Sequence, residues 1–149
     1  MLFRSARFSE IQLHNEIEPY EIALIREGAP HARLIKAVHV ADWSALNAAR
    51  SCEPYSDAIL LDSRTENRIG GTGQVHDWSI SREIVRLSKK PTILAGGLNE
   101  ENVLDAIGFV RPFGVDVNSG VDDSCGDKDE ETVRGFVQKS LRASLHGVV

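Results

Sequence analysis

The 149 residues predict an α/β fold of parallel strands, and three observations carry that reading. Short apolar runs alternate with longer amphipathic stretches five times along the chain. Several of the short runs are apolar at consecutive positions, as in Ala58-Ile59-Leu60-Leu61, the pattern of a strand buried on both faces. A strict strand–helix alternation then implies parallel pairing through right-handed crossovers.

Taken in order, strands are expected over 9–13, 33–38, 57–62, 91–95 and 114–117. Helices are expected over 18–28, 43–51, 78–87, 100–109 and 130–145. The last of these sets Val133, Phe136, Val137 and Leu141 at helical spacing, with charges on the other face. Asn99 before Glu100 and Glu101, and Asp129 before Glu130 and Glu131, read as N-caps with acids in the first turn. Two architectures satisfy the alternation: an open doubly wound sheet, or part of a closed barrel. Periodicity does not choose between them. No linker or low-complexity stretch divides the chain, so residues 1–149 are expected to form one domain, with 1–8 and 146–149 as poorly ordered ends.

Composition narrows the partners. Hydrophobic residues at 42% and charged residues at 26% are ordinary for a globular protein. A net charge of −5, with no basic run, argues against nucleic acid, which demands clustered Lys and Arg. No apolar stretch approaches the roughly 20 residues of a membrane span, and none resembles a signal peptide. Cys52 and Cys125 form neither a metal-like spacing nor a disulfide framework, which fits a reducing cytosol. His31, His39, His76 and His146 show no mutual metal spacing either, so no metal is expected.

Three loops follow strand ends, where parallel α/β proteins place their chemistry. The first begins at Asp62 and runs through Ser63 to Gly70-Gly71-Thr72-Gly73-Gln74. An acid ending a buried strand suits general acid work, because partial burial favours the protonated form of a carboxyl. A capping or ion-paired role is the equal alternative. The glycine cluster lacks the Lys-Ser/Thr of a P-loop and reads only as a mobile loop or lid.

The second loop is Ala95-Gly96-Gly97-Leu98-Asn99, and the third is Asp116-Val117-Asn118-Ser119-Gly120-Val121. Paired glycines before a capped helix leave backbone N–H groups open to a phosphate, although a tight turn needing φ > 0 would select them as well. Two such loops in adjacent final units match the phosphate site that barrels build at that end.

On the first strand, Gln12 and His14 are two apart and share a face, at the rim if the strand lines a barrel. A histidine merely hydrogen-bonded in a loop is the plainer alternative. Lys36, also near a strand end, reads first as a salt-bridged core lysine. Cys52, ending a helix, reads as a small buried residue. Cys125 has acidic neighbours Asp122, Asp123 and Asp127, which disfavour a reactive thiolate.

The ordered motifs resemble one family. Ile11-Gln12-Leu13-His14, Leu34-Ile35-Lys36-Ala37 and Ile59-Leu60-Leu61-Asp62-Ser63 come first. The glycine cluster with Asp77-Trp78, Leu94-Ala95-Gly96-Gly97-Leu98-Asn99 with Glu101-Asn102-Val103, and Val110-Arg111-Pro112 follow. Gly114 through Val121 and Gly126-Asp127-Lys128-Asp129 complete the series. Together they resemble phosphoribosylanthranilate isomerase from its fourth strand onward, over nearly the whole chain after Phe8.

The resemblance implies a partial (β/α)8 TIM barrel of five βα units, with the first three units absent. It implies a cofactor-free isomerase of tryptophan biosynthesis, acting on a small phosphorylated substrate in the cytoplasm. The reaction is the Amadori rearrangement of N-(5-phosphoribosyl)anthranilate to 1-(2-carboxyphenylamino)-1-deoxyribulose 5-phosphate. Asp62 matches the family's general acid. Gln12 and His14 match positions on the anthranilate side, and Gly96, Gly97, Ser119 and Gly120 match the phosphate site. Asn118 stands where the family usually has Ser, a mild change that leaves an amide able to donate to phosphate. The family's general base is a cysteine in a Lys-Ile-Cys-Gly type segment, which does not occur in these 149 residues; neither Cys52 nor Cys125 matches it. The chain alone is therefore expected to turn over weakly or not at all, the alternative reading being a non-catalytic phosphate-binding fragment or one half of a split barrel. Its open edges are expected to favour association with itself or with a separate front half.

Overall fold

The computed structural model describes residues 8–14, 17–62 and 77–145. Five strands form in it: β1 (Glu10–Leu13), β2 (Arg33–His39), β3 (Ala58–Asp62), β4 (Thr92–Leu94) and β5 (Gly114–Val115). Between and after them lie α1 (Pro19–Gly28), α2 (Ser44–Cys52), α3 (Trp78–Leu87), α4 (Val103–Val110) and α5 (Glu130–Leu145). The expected ends at 1–8 and 146–149 lie, but for Phe8, outside the described residues, as does the Gly70–Gln74 cluster.

Sheet order separates the two architectures that periodicity left open. The strands run β1-β2-β3-β4-β5, every neighbouring pair parallel. A doubly wound sheet reverses its order at a switch point. No reversal occurs among these strands. Right-handed crossovers that always step the same way put every helix on one side of the sheet, as in a barrel wall.

Burial agrees. On one face Leu34, Val38, Ile59, Leu61 and Leu94 join Ile22 of α1, Ala49 of α2, Ile84 of α3, Val103 of α4 and Phe136 of α5 in a single core. On the opposite face a small cluster holds Ala37, Leu60 and Ala95, flanked by half-buried Ile35 and Ile93. Ile59, Leu60 and Leu61 are each at most 3% exposed, so β3 is covered on both sides as its unbroken apolar run predicts. Lys36 is also buried, on the helix side, and its ammonium donates to the carbonyls of Leu13 and Ala37.

Local chemistry starts the helices. Glu18 and Glu21 form a capping box before Pro19 at the first position of α1. Asp77 Oδ1 accepts from Ser79 N at 2.9 Å at the head of α3. Asp129 caps α5 as expected, its carboxylate accepting from Thr132 N at 2.7 Å and Thr132 Oγ1 at 2.5 Å. Between helices, Arg82 of α3 sits 5.0 Å from the ring centroid of Phe109 on α4. Gly135 of α5 leaves room for the Glu100 carboxylate, which pairs with Lys139 at 3.1 Å; a Cβ there would fall 2.4 Å from Glu100 Cδ.

Two expectations change. The helix expected from residue 100 begins at Val103, because Asn99 and Asn102 first build a turn of their own. Asn99 Oδ1 accepts from Glu101 N and Asn102 N, while Asn102 Oδ1 accepts from Asn99 N at 2.9 Å. The fifth strand ends at Val115 rather than 117; Asp116 N makes its last ladder bond, to Leu94 O at 2.9 Å, before the chain turns.

Candidate active site

At the C-terminal ends of the strands lies a cavity of about 320 Å³. Each strand end but that of β2 contributes to its wall. The end of β1 supplies Gln12 and His14, and β3 supplies Leu60 and Asp62. The loop after β4 supplies Ala95 to Leu98, and the loop after β5 supplies Asp116 to Gly120. All seven residues singled out from the sequence as acid or binding positions therefore share one hollow, though they span 109 positions of chain, from Gln12 to Gly120.

Alternation explains which side chains reach it. Gln12, Leu60 and Asp62 sit on the face opposite the main core, while their neighbours Leu13 and Leu61 point into that core. Gln12 Nε2 lies 2.8 Å from His14 Nε2. The carboxamide nitrogen can only donate, so the imidazole accepts at Nε2 and its neutral form carries hydrogen on Nδ1. Asp62 is half-buried at its strand end. Its register partner on β2 is His39, an exposed residue that does not line the cavity.

The two glycine loops differ in why they need glycine. Gly96 and Gly97 have φ of 78° and 67°, in the left-handed region that costs an L side chain about 1–2 kcal/mol. Gly120 is required by space instead. A Cβ there would lie 1.8 Å from the carbonyl oxygen of Leu98, so the loop after β5 packs its backbone directly on the loop after β4. Among the described residues, the N–H groups of Gly96, Gly97, Ser119 and Gly120 meet no acceptor. Four open donors on adjoining loops make an anion site. The donors belong to the loops themselves, because the turn at Asn99–Asn102 sets the first turn of α4 three residues further on.

Asp116 and Asn118 stand in the third loop named from the sequence, Asn118 as a replacement for Ser whose amide can still donate to phosphate, but neither is among the seven site residues singled out there. Both line the wall. Continuing the strand alternation one step past Val115 would have placed Asp116 there. Cys52 is buried at the end of α2, and Cys125 is exposed and outside the lining. Lys36 is also absent from the lining. No cluster of three or more His, Cys, Asp or Glu suited to a metal occurs among the described residues, and none of the helices there is long and apolar enough to cross a membrane.

Known proteins resemble this arrangement closely. The profile of the N-(5'phosphoribosyl)anthranilate (PRA) isomerase family matches residues 2–139. N-(5'-phosphoribosyl)anthranilate isomerase 2 of Methanosarcina mazei is 42% identical over 134 residues, covering 89% of this chain and 59% of the relative. The crystal structure of phosphoribosyl anthranilate isomerase from Thermotoga maritima superposes with a TM-score of 0.76 at 36% identity, over 90% of this chain and 62% of that one. A phosphoribosyl anthranilate isomerase solved in complex with reduced 1-(o-carboxyphenylamino)-1-deoxyribulose 5-phosphate aligns with a TM-score of 0.68 at 34% identity, over 90% of this chain and 60% of that one. The chain thus spans about three fifths of the length of the curated relatives it matches. With its unreversed parallel sheet and its paired glycine loops at the strand ends, the chain belongs to the phosphoribosylanthranilate isomerase family.

Proposed function

We propose that the cavity binds N-(5-phosphoribosyl)anthranilate and that Asp62 is the general acid of its Amadori rearrangement, a step of tryptophan biosynthesis. One observation carries the reading: an acid from β3 and the open N–H groups of two adjoining loops face the same hollow. A phosphorylated sugar needs both in one place. The loops hold the phosphate, and the acid meets the furanose ring at the other end of the ribosyl unit.

In this mechanism Asp62 gives a proton to the ring oxygen as the C1′–O bond breaks, which opens the sugar to an imine. Loss of the C2′ proton to a base then yields the enol-amine, which tautomerises to the ketose. Gln12 and His14, joined at 2.8 Å on the β1 side, border the anthranilate ring. The solved relative complexed with the reduced deoxyribulose phosphate supports a product of this chemistry. No cofactor enters the scheme, and a cytoplasmic setting fits it.

The five units are five eighths of a closed barrel in this reading, with β1 and β5 meeting strands from further polypeptide. The base comes from that polypeptide too, since the cysteine segment of the family does not occur in these 149 residues. Turnover by the chain alone should accordingly be weak or nil. The test compares consumption of the substrate by the chain alone and by the chain fused behind the first three βα units of the Methanosarcina relative. Activity in the fusion that falls by about 10²–10⁴-fold on Asp62→Asn supports the assignment. A fusion whose turnover ignores that substitution refutes it.

A further inference from the structure

Lys128 lies outside the cavity lining, yet its side chain reaches Asn118, which lies within it. The ammonium donates to Asn118 Oδ1 at 2.9 Å, to the carbonyl of Asn118 at 3.1 Å, and to the carboxylate of Asp122. An ammonium has three hydrogens. Three acceptors use all of them, so Lys128 has none left for a ligand. Its backbone is held as well, by the antiparallel bridge with Asp122 and by Asp129 N donating to Val121 O at 2.9 Å.

The consequence falls on the carboxamide. Asparagine presents one accepting and one donating end, and an accepting oxygen turned toward a phosphate would repel it. Lys128 can hold only the oxygen. The nitrogen is then the end left for the cavity, and among the described residues it has no acceptor. A cation on Oδ1 also polarises the amide and strengthens its N–H as a donor.

We propose that Lys128 is a positioning residue that fixes the Asn118 carboxamide with Nδ2 toward the cavity, making Asn118 a side-chain ligand for the substrate's phosphate beside the four loop amides. This deepens the phosphate reading of the cavity and rests on it. A serine hydroxyl rotates to suit its partner and needs no such holder; an asparagine does.

The test is calorimetric titration of the full chain with inorganic phosphate, as a double-mutant cycle. Asn118→Ala should weaken binding by about 10- to 100-fold, the worth of a hydrogen bond to a charged group. Lys128→Met should weaken it by about 3- to 10-fold in the native background and by less than about 2-fold when Asn118 is already Ala or Ser. An equal loss in all backgrounds would mean that Lys128 attracts the anion directly, and would overturn the proposal. A native chain that binds no phosphate would sink the phosphate reading itself. The Lys128–Asn118 contact is read separately, from the side-chain amide resonances of Asn118. They should shift in Lys128→Met, and unchanged resonances would refute the positioning role whatever the titration gives.

Discussion

The two faces of the sheet are made from the same five strands and have little else in common. The helix-side face is a largely apolar layer, interrupted by buried Lys36 and Thr92, in which Leu34, Ile59, Leu61 and Leu94 are fully buried. Among the described residues the other face has only Ala37, Leu60 and Ala95 buried, with Gln12, His14 and Asp62 toward the open ends of the strands. Alternate residues of one strand therefore serve opposite ends: Leu61 holds β3 in the core, and Asp62 beside it opens into the cavity. Substitutions one position apart should then separate stability from chemistry.

The largest expected effect is on chemistry. Asp62→Asn in the completed barrel should cost about 10²–10⁴-fold in turnover while leaving the thermal midpoint nearly unmoved. A large fall in stability instead would break the division between the faces. Next comes Leu61→Ala, which should lower unfolding free energy by about 2–5 kcal/mol in a denaturant titration, through lost burial and a residual cavity. Gly120→Ala probes the place where the loops meet. A Cβ only 1.8 Å from Leu98 O forces them apart, at about 1–3 kcal/mol of strain, and should weaken phosphate binding more than Gly97→Ala. That second change meets the left-handed φ of 67°, worth about 1–2 kcal/mol.

The smallest effect lies at the far end of the strands, on the stability side. Burial works against the charged form of Asp57, but the Arg26 guanidinium at 2.5 Å, the Leu34 N–H at 2.8 Å and the nearby charges of Arg26 and Lys90 outweigh it and hold the carboxyl below its ordinary value. A lowered folded pKa means that the stabilisation is complete above the unfolded value near 3.9 and fades as pH falls through the folded one. The pair is more than a third exposed on the Asp57 side, so the contribution is about 1 kcal/mol or less and screened by salt. As pH falls from neutral through the unfolded value and on through the lower folded one, native protein should lose this increment and Asp57→Asn should not. Identical acid unfolding curves would remove Asp57 from the account.

Much of this was readable from residue order. The apolar run at Ala58–Leu61 signalled a strand covered on both sides, and Asp129 before two acids signalled the head of α5. The paired glycines and the Asn118-Ser119-Gly120 loop marked two stretches that turn out to line the cavity. What misled was local. Asn99 makes the capping bonds expected of it, accepting from Glu101 N and Asn102 N, but Asn102 answers it across three residues and the regular helix starts only at Val103. Nothing in a linear pattern reveals such an exchange. Asp116, named in the third loop, could not be assigned a face because the strand before it has only two residues, too short to display a period.

By itself, then, the sequence determined the parallel α/β class, the five units and the residue types offered at the strand ends, because side-chain alternation and apolar periodicity are local properties. The unreversed strand order that puts all five helices on one side was decided only in three dimensions. So were the contact of Gly120 with Leu98 and the hold of Lys128 on Asn118. The first two depend on which segments, well separated along the chain, the packed sheet brings together, and the third on how the stretch after β5 folds back on itself. The sequence offered Asp62 and the glycine loops as separate candidates; the fold made them the walls of one cavity.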